Sequence, residues 1–279
     1  MLAFLFNKVY NEFNLMKKEN NFMKKFIKIF AAVMAIAMML TCFAGCSTED
    51  NKLVMATNAN FPPYEYKEGD EFAGIDIEIA GKIAEKLGLE LEIADVEFGS
   101  IIGGVQSGKY NIGMAGMTVT DERKQSVNFS DTYATGIQSV IVKEGSDVKT
   151  VDDITAMVEA GGKIGVQQDT TGDIYASDTV ENGGYGEDNV IRYKNGADAV
   201  QALVTGKVGC VIIDNEPAKS FVAANEGLKI LDTEFAVEDY AIAIAKENTE
   251  LLDEINKALS ELKADGTIDE IVKKYIPAE

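Results

Sequence analysis

Apolar positions fall into short blocks from Leu53 onward, and the blocks alternate between two periods. "KLVMATN" is a brief apolar run closed by polar residues, which predicts a strand. "GIDIEIAGKIAEKLG" places Ile79, Ile83 and Leu87 at i, i+4 and i+8, joined by Ala80 and Ala84. That spacing predicts an amphipathic helix ended by Gly88. "LELEIADV" predicts a strand, "SIIGGVQSGK" a short helix, and "YNIGMAGM" and "IQSVIVK" two more strands. Then follow the strand "KIGVQQ", a helix from about Gly172, the strand "NVIRY" and the helix "GADAVQALVTGK". "GCVIID" and "YAIAIAKEN" predict strands, with the helix "EPAKSFVAANEG" between them, and two helices close the chain from about Glu250 to Tyr275. Strands alternating with helices of this length indicate an α/β architecture with mainly parallel sheets.

The N-terminal stretch has a different pattern. From Met23 to Ser47 a basic start (Lys24, Lys25, Lys28) leads into an apolar run ending at Leu40 and then small residues up to Cys46. This is the order of a secretory signal, and the run is short for a membrane span. "FAGC" resembles a bacterial lipobox, in which the cysteine is lipidated and becomes the new N-terminus. Phe43 stands where leucine is usual. An ordinary signal peptide cleaved nearby is the alternative. Residues 23–45 are therefore expected to be a signal peptide and Cys46 a lipid-carrying residue, palmitate included, with 46–52 a polar tether. Residues 1–22 fit neither and are read as an extension. Translation from Met1, Met16 or Met23 is left open.

Composition narrows the chemistry. The chain has 279 residues and a net charge of −20, which argues against binding a nucleic-acid backbone. It has no histidine, so histidine triads, histidine proton shuttles and the usual zinc sites are absent; no metal and no cofactor are expected. Of three cysteines, Cys42 would leave with the signal and Cys46 would carry lipid. Cys210 alone remains, so no internal disulfide is expected. In "GCVII" it reads as a small core residue.

Only two arginines occur, Arg123 and Arg192. Arg123 stands in "GMTVTDERKQSVNFSD", just after a turn rich in Thr and Gly. Either it lies on the surface of a short helix, "DERKQ", or it holds a carboxylate with the planar fork that lysine lacks. Asp214 ends the apolar strand "GCVIID", where a βα loop faces a cleft, or it merely caps the following helix. Phe61 and Phe98 end predicted strands. Phe61 precedes Pro62-Pro63, a poor place for a core strand.

Three stretches together resemble the extracellular solute-binding proteins of amino-acid ABC importers: "GIDIEIAGKIAEKL", "AGMTVTDERKQSVNFSDTY", and "KIGVQQDTTG" followed about 45 residues on by "GCVIIDNEPA". The similarity runs from Leu53 to Ile276. It implies a two-lobed, type II periplasmic-binding-protein-like fold with mixed sheets flanked by helices and a two-strand hinge. Lobe one would be 53–137 and 239–279, lobe two 138–238, with crossing strands near 132–138 and 237–241. It implies a ligand site of Asn58, Phe61, Phe98, Gly116, Met117, Thr118, Arg123, Gln167, Thr170, Thr171 and Asp214. Arg123 and the Thr118 hydroxyl would take the ligand carboxylate. Asp214 and the Gly116 carbonyl would take the ammonium, and the two rings would bracket the side chain. Asn58, Glu65, Gln167, Asp169, Thr170 and Thr171 would set selectivity. One of the two threonines could cap the helix behind them while the other meets the carboxylate.

The implied partners are an L-amino acid, an ABC permease with its ATPase, and the membrane through the lipid; a monomer is expected. The implied location is extracytoplasmic. The resemblance leaves two other classes open, a cyclic-acid dehydratase on the same fold and a ligand sensor. Without histidine the dehydratase would need Glu65, Asp169 or Asp214 as its acid or base.

Overall fold

The structure, a computed structural model, describes residues 51–232 and 236–277. The expected signal segment, Cys46 and nearly all of the tether lie outside the described residues. Among the described residues the strands are β1 (Lys52–Thr57), β2 (Asn60–Phe61), β3 (Glu65–Glu68), β4 (Glu71–Ala73), β5 (Glu90–Asp95), β6 (Ile112–Gly113), β7 (Val127–Phe129), β8 (Ala134–Lys143), β9 (Ile164–Gln167), β10 (Val190–Tyr193), β11 (Cys210–Asp214), β12 (Leu228–Ile230), β13 (Ala236–Tyr240) and β14 (Ala243–Ala245). One sheet has the order β5-β1-β6-β14-β7. A second has β10-β9-β11-β8-β12, with β13 also on β8. A small antiparallel sheet joins β2, β3 and β4.

Each large sheet belongs to one α/β lobe, and the chain passes between them twice. It leaves the first sheet after β7 and enters the second at β8; it returns from β13 to β14. The two crossing strands pair antiparallel, Gln138 opposite Ala236 through Ala134 opposite Tyr240. The sheets are mixed: β1 runs parallel to β5 and β6, but β14 is antiparallel to β6 and β7, and β8 is antiparallel to β11. The parallel bias expected from strand–helix alternation fails where the chain crosses, because each crossing strand enters its sheet without an intervening helix.

Local rules account for the main helices. Helix Ile75–Leu87 buries Ile75, Ile79, Ala80 and Ile83 and ends at Gly88 in the left-handed conformation, φ 69°. Its start is fixed by Gly74 at φ 124°, where a Cβ would lie 2.2 Å from the Tyr64 carbonyl oxygen. The N–H groups of Ile75 and Asp76 donate to the carbonyls of Pro63 and Tyr64. The loop after Phe61 is thereby clamped to the helix, and Phe61 and Asp76 are brought to one place. Helix Gly196–Val204 is capped by Asn195, whose side chain accepts from Asp198 N–H at 2.8 Å.

Four local expectations change. "DERKQ" is a single 3-10 turn, Arg123–Gln125, not a helix. "YNIGMAGM" contributes only two residues of strand, and "YAIAIAKEN" divides into the end of β13 and β14. Helix Asp153–Glu159 and the β2–β4 sheet stand where no element was expected. Cys210 is fully buried in the second lobe's core. No helix among the described residues is long and apolar enough to cross a membrane.

Candidate functional site

The cleft between the lobes is lined by Phe61, Glu65, Phe98, Ala115, Gly116, Thr118, Arg123, Gln167, Thr170, Thr171 and Asp214. The cavity they leave is small, about 10 Å³, roughly one water-sized sphere, so the two walls stand close together.

The first lobe supplies the aromatic wall and the guanidinium. Phe61 and Phe98 are buried and belong to core clusters while also lining the cleft. Phe61 packs against Tyr64 at 6.1 Å between centroids, and Tyr64 meets Tyr240 edge-on at 5.2 Å. The Arg123 guanidinium carbon sits 5.2 Å from the Phe98 ring centroid. Its Nη1 donates to the Thr118 carbonyl at 2.8 Å, and its Nη2 crosses to the Asp169 carbonyl of the second lobe at 3.0 Å. Among the described residues no carboxylate pairs with it. Burial lowers its pKa, opposed by the negative charge of Glu238 and Asp214. The site therefore holds a cation whose hydrogen bonds go only to neutral carbonyls.

The second lobe supplies the anion. Asp214 ends β11, and burial, with Glu238 nearby, pushes its carboxyl up to about 7. It occupies the N-cap position of helix Asn215–Ala224 yet makes no capping bond. It instead accepts from the Tyr240 hydroxyl. Thr170 does cap its helix, Thr171–Ser177, accepting from Asp173 N–H at 3.3 Å, while Thr171 turns its hydroxyl to Glu238 at 2.9 Å. Gln167 Nε2 donates to Asn58 Oδ1 at 3.0 Å, so these two residues tie the lobes together. Asn58 Nδ2 donates to the Val96 carbonyl at 2.7 Å.

Other expected site residues fall elsewhere. Met117 is wholly buried in the first lobe's core and is not among the lining side chains; its carbonyl accepts from Ala241 N–H. Asp169 is exposed at φ 63°, its carboxylate accepting from Gln168 at 3.2 Å, so it does not point inward. The Thr118 hydroxyl, expected to serve a carboxylate, donates its proton to Glu238 Oε2 at 3.0 Å.

Two acidic groups were missed. Glu238, on β13, is buried and gathers Thr118, Thr171 and Gln138. Asp76 is fully buried and accepts from Gly116 N–H at 2.8 Å and the Tyr133 hydroxyl at 2.9 Å. It thereby fixes Gly116, at φ 51°, where a Cβ would lie 3.0 Å from the Phe61 ring. Burial raises Asp76 to about 7 and raises the adjoining Glu65 well above the ordinary carboxylate range. Burial and the neighbouring Asp76 both favour the protonated form of Glu65 at the cleft wall.

The arrangement suits a small zwitterion: a fork of N–H donors on one wall, a carboxylate on the other, and two rings at the side. Comparison with known proteins agrees. Residues 53–278 match the family described as bacterial extracellular solute-binding proteins, family 3. The arginine-binding extracellular protein ArtP of Bacillus subtilis (strain 168) is 30% identical over 263 residues, covering 92% of this chain and all of the relative. The glutamine-binding protein GlnH of an ABC transporter from the same organism is 34% identical over 215 residues, 75% of this chain and 76% of the relative. A solved structure described as an ancestral arginine-binding protein bound to glutamine superposes with a TM-score of 0.74 at 39% identity, covering 82% of this chain and 99% of the other. The chain belongs to the bacterial extracellular solute-binding proteins, family 3.

Proposed function

We propose that this protein captures an L-α-amino acid between its two lobes, outside the cell membrane, and hands it to the permease of an ABC importer. The observation that carries this reading is the placement of Arg123 and Asp214 on opposite walls of one cleft. A free amino acid carries a carboxylate and an ammonium on one carbon, and these walls offer the matching charges in that order. Arg123 supplies the two-pronged donor and Asp214 the acceptor. The rings of Phe61 and Phe98 flank the side chain. Glu65 and Gln167 line the same cleft and favour a polar side chain, and the ligands named for ArtP and GlnH are polar.

Binding begins on the first lobe and ends when Asp214 swings onto the ammonium, the paired strands β8 and β13 acting as the hinge. Closure is stabilised only by contacts that the ligand makes in the closed form, so second-lobe residues set its extent. Cleavage before Cys46 and lipid on its sulfur would hold the domain at the membrane surface as a monomer. Replacing Cys46 by Ser then leaves a precursor that fractionates away from membranes.

Catalysis is the second reading, and the placement of Glu65 on the cleft wall, where burial raises its pKa, is the observation that favours it, as a general acid. A thermal-shift screen against the twenty common amino acids separates the two, since a tight ligand raises apparent stability by mass action. A marked rise with one or a few L-amino acids is expected. No rise with any of them, together with turnover of a cyclic hydroxy acid, would overturn the binding reading.

A further inference from the structure

Glu238 is not a cleft-lining residue, yet it touches the wall from behind. Its Oε2 receives Thr118 Oγ1 at 3.0 Å, Thr171 Oγ1 at 2.9 Å and Gln138 Nε2 at 3.1 Å. Thr118 comes from the first lobe, beside its bridge to Tyr240; Thr171 and Gln138 come from the second. All four side chains are buried. A carboxylate that gathers three donors on one oxygen acts only as acceptor, and Gln138 Nε2 can only donate. Each threonine hydroxyl has one proton and two lone pairs. Both protons are committed to Glu238, and Gln138 Nε2 also donates to Thr171 Oγ1 at 3.4 Å; what the hydroxyls have left to offer is lone pairs, both on Thr118 and one on Thr171.

This changes which end of a ligand the threonines serve. A ligand carboxylate needs donors and gains nothing from a hydroxyl whose proton points away. An ammonium needs acceptors, and it finds them here beside Asp214. We propose that Glu238 is a positioning residue: by taking the hydroxyl protons of Thr118 and Thr171 it makes both of them acceptors and reserves that wall for the ligand's ammonium. The second half of this statement rests on the amino-acid reading above; the first half does not. The carboxylate end is left to Arg123.

The test is a double-mutant cycle in two settings. Without ligand, urea midpoints are compared for Glu238→Ala, Thr118→Val and the pair. If Glu238 holds the hydroxyl, the pair loses no more than Glu238→Ala alone; losses that add in full overturn the assignment. With L-arginine and with L-glutamine as probes, calorimetry should show Glu238→Ala raising Kd about tenfold or more. Glu238→Gln keeps an oxygen where the three donors converge, and should hold Kd within about threefold. The Glu238→Ala/Thr118→Val pair should bind no more weakly than Glu238→Ala.

Unchanged affinity in Glu238→Ala, or equal damage from Gln and Ala, contradicts the positioning role. Should the alanine variant fail to fold, Glu238→Met, similar in length but without an acceptor oxygen, carries the same cycle: its pair with Thr118→Val should lose no more than Glu238→Met alone in both settings, and losses that add in full overturn the assignment. A wild-type chain that binds neither probe defeats the amino-acid reading for those ligands and, with it, the claim on the ammonium. The urea cycle then still decides whether Glu238 holds the hydroxyls.

Discussion

The chain's two arginines are held in opposite ways. Arg192, on β10, is saturated by acids: its Nε meets Asp173 at 2.7 Å and its two Nη groups take both oxygens of Glu187. Those hydrogen bonds raise its pKa. Arg123 has only the carbonyls of Thr118 and Asp169, and burial pushes its pKa the other way. One guanidinium is a finished structural tie. The other lines the cleft, with Glu238 and Asp214 the foremost acids acting on it and neither bonded to it. A half-buried cation without its own carboxylate gains little for folding alone, and that difference supports the proposed reading of Arg123 as a binding residue.

The largest effect should come from the opposite wall. Asp214→Asn keeps the shape and removes the charge, leaving the ligand ammonium poorly paired. Binding should weaken by ~3–5 kcal/mol, and small-angle scattering should show a chain that stays open with amino acid present. Normal compaction would reduce Asp214 to a residue of the fold. Next comes Arg123→Lys, which keeps the charge and loses the fork. A loss of ~1.5–3 kcal/mol in calorimetric affinity is expected. Unchanged affinity would remove the asymmetry on which the two-arginine comparison rests.

A smaller effect follows from pH. Asp214 binds its proton more tightly in the folded chain, at about 7 against 3.8 ordinarily. The stability it contributes without ligand is therefore full below its ordinary value and lost as pH rises through about 7. Asp76, also raised to about 7, has the same sign. Ligand reverses the preference, because the ammonium needs the carboxylate. Affinity should fall about tenfold between pH 8 and pH 6, with proton uptake or release visible in buffers of different ionisation enthalpy. Asp214→Asn should flatten part of the ligand-free stability profile and leave the part due to Asp76. The smallest effect is expected for Arg192→Lys: unchanged affinity, and a stability loss of about 1 kcal/mol, since the side chain is partly exposed. Lost binding there would show that the two arginines are not separate in function.

How far the sequence discloses this site depends on how each residue advertises itself. Arg123 and Asp214 are legible because one is a rare cation after a Thr- and Gly-rich turn and the other ends an apolar strand. The helices from Ile75 and Gly196 are legible from spacing and caps. Glu238 is hidden in "AVEDY", where a crossing strand is expected but two adjacent acids give no sign that one is buried. Its burial inverts the usual order: Val237 is 65% exposed and Glu238 4%, because Glu238 shares its strand face with Ala236 and Tyr240. Period-two alternation around Tyr240 was the available signal. Asp76 is similar, since it lies one turn before Ala80 on the apolar face of its helix. The "DERKQ" turn was over-read as a helix. Its three residues lead directly into β7, which leaves no room for a second turn.

The central claim is that Arg123 and Asp214 read the two charged ends of one ligand. It is tested most directly by titrating the purified chain, by calorimetry, with the amino acid that gives the largest thermal shift, with its α-carboxamide, and with its α-hydroxy acid. The account predicts that either change weakens binding at least a hundredfold. It further predicts that Arg123→Lys narrows only the gap to the carboxamide, and Asp214→Asn only the gap to the hydroxy acid. Equal binding of the amino acid and its hydroxy acid would contradict it.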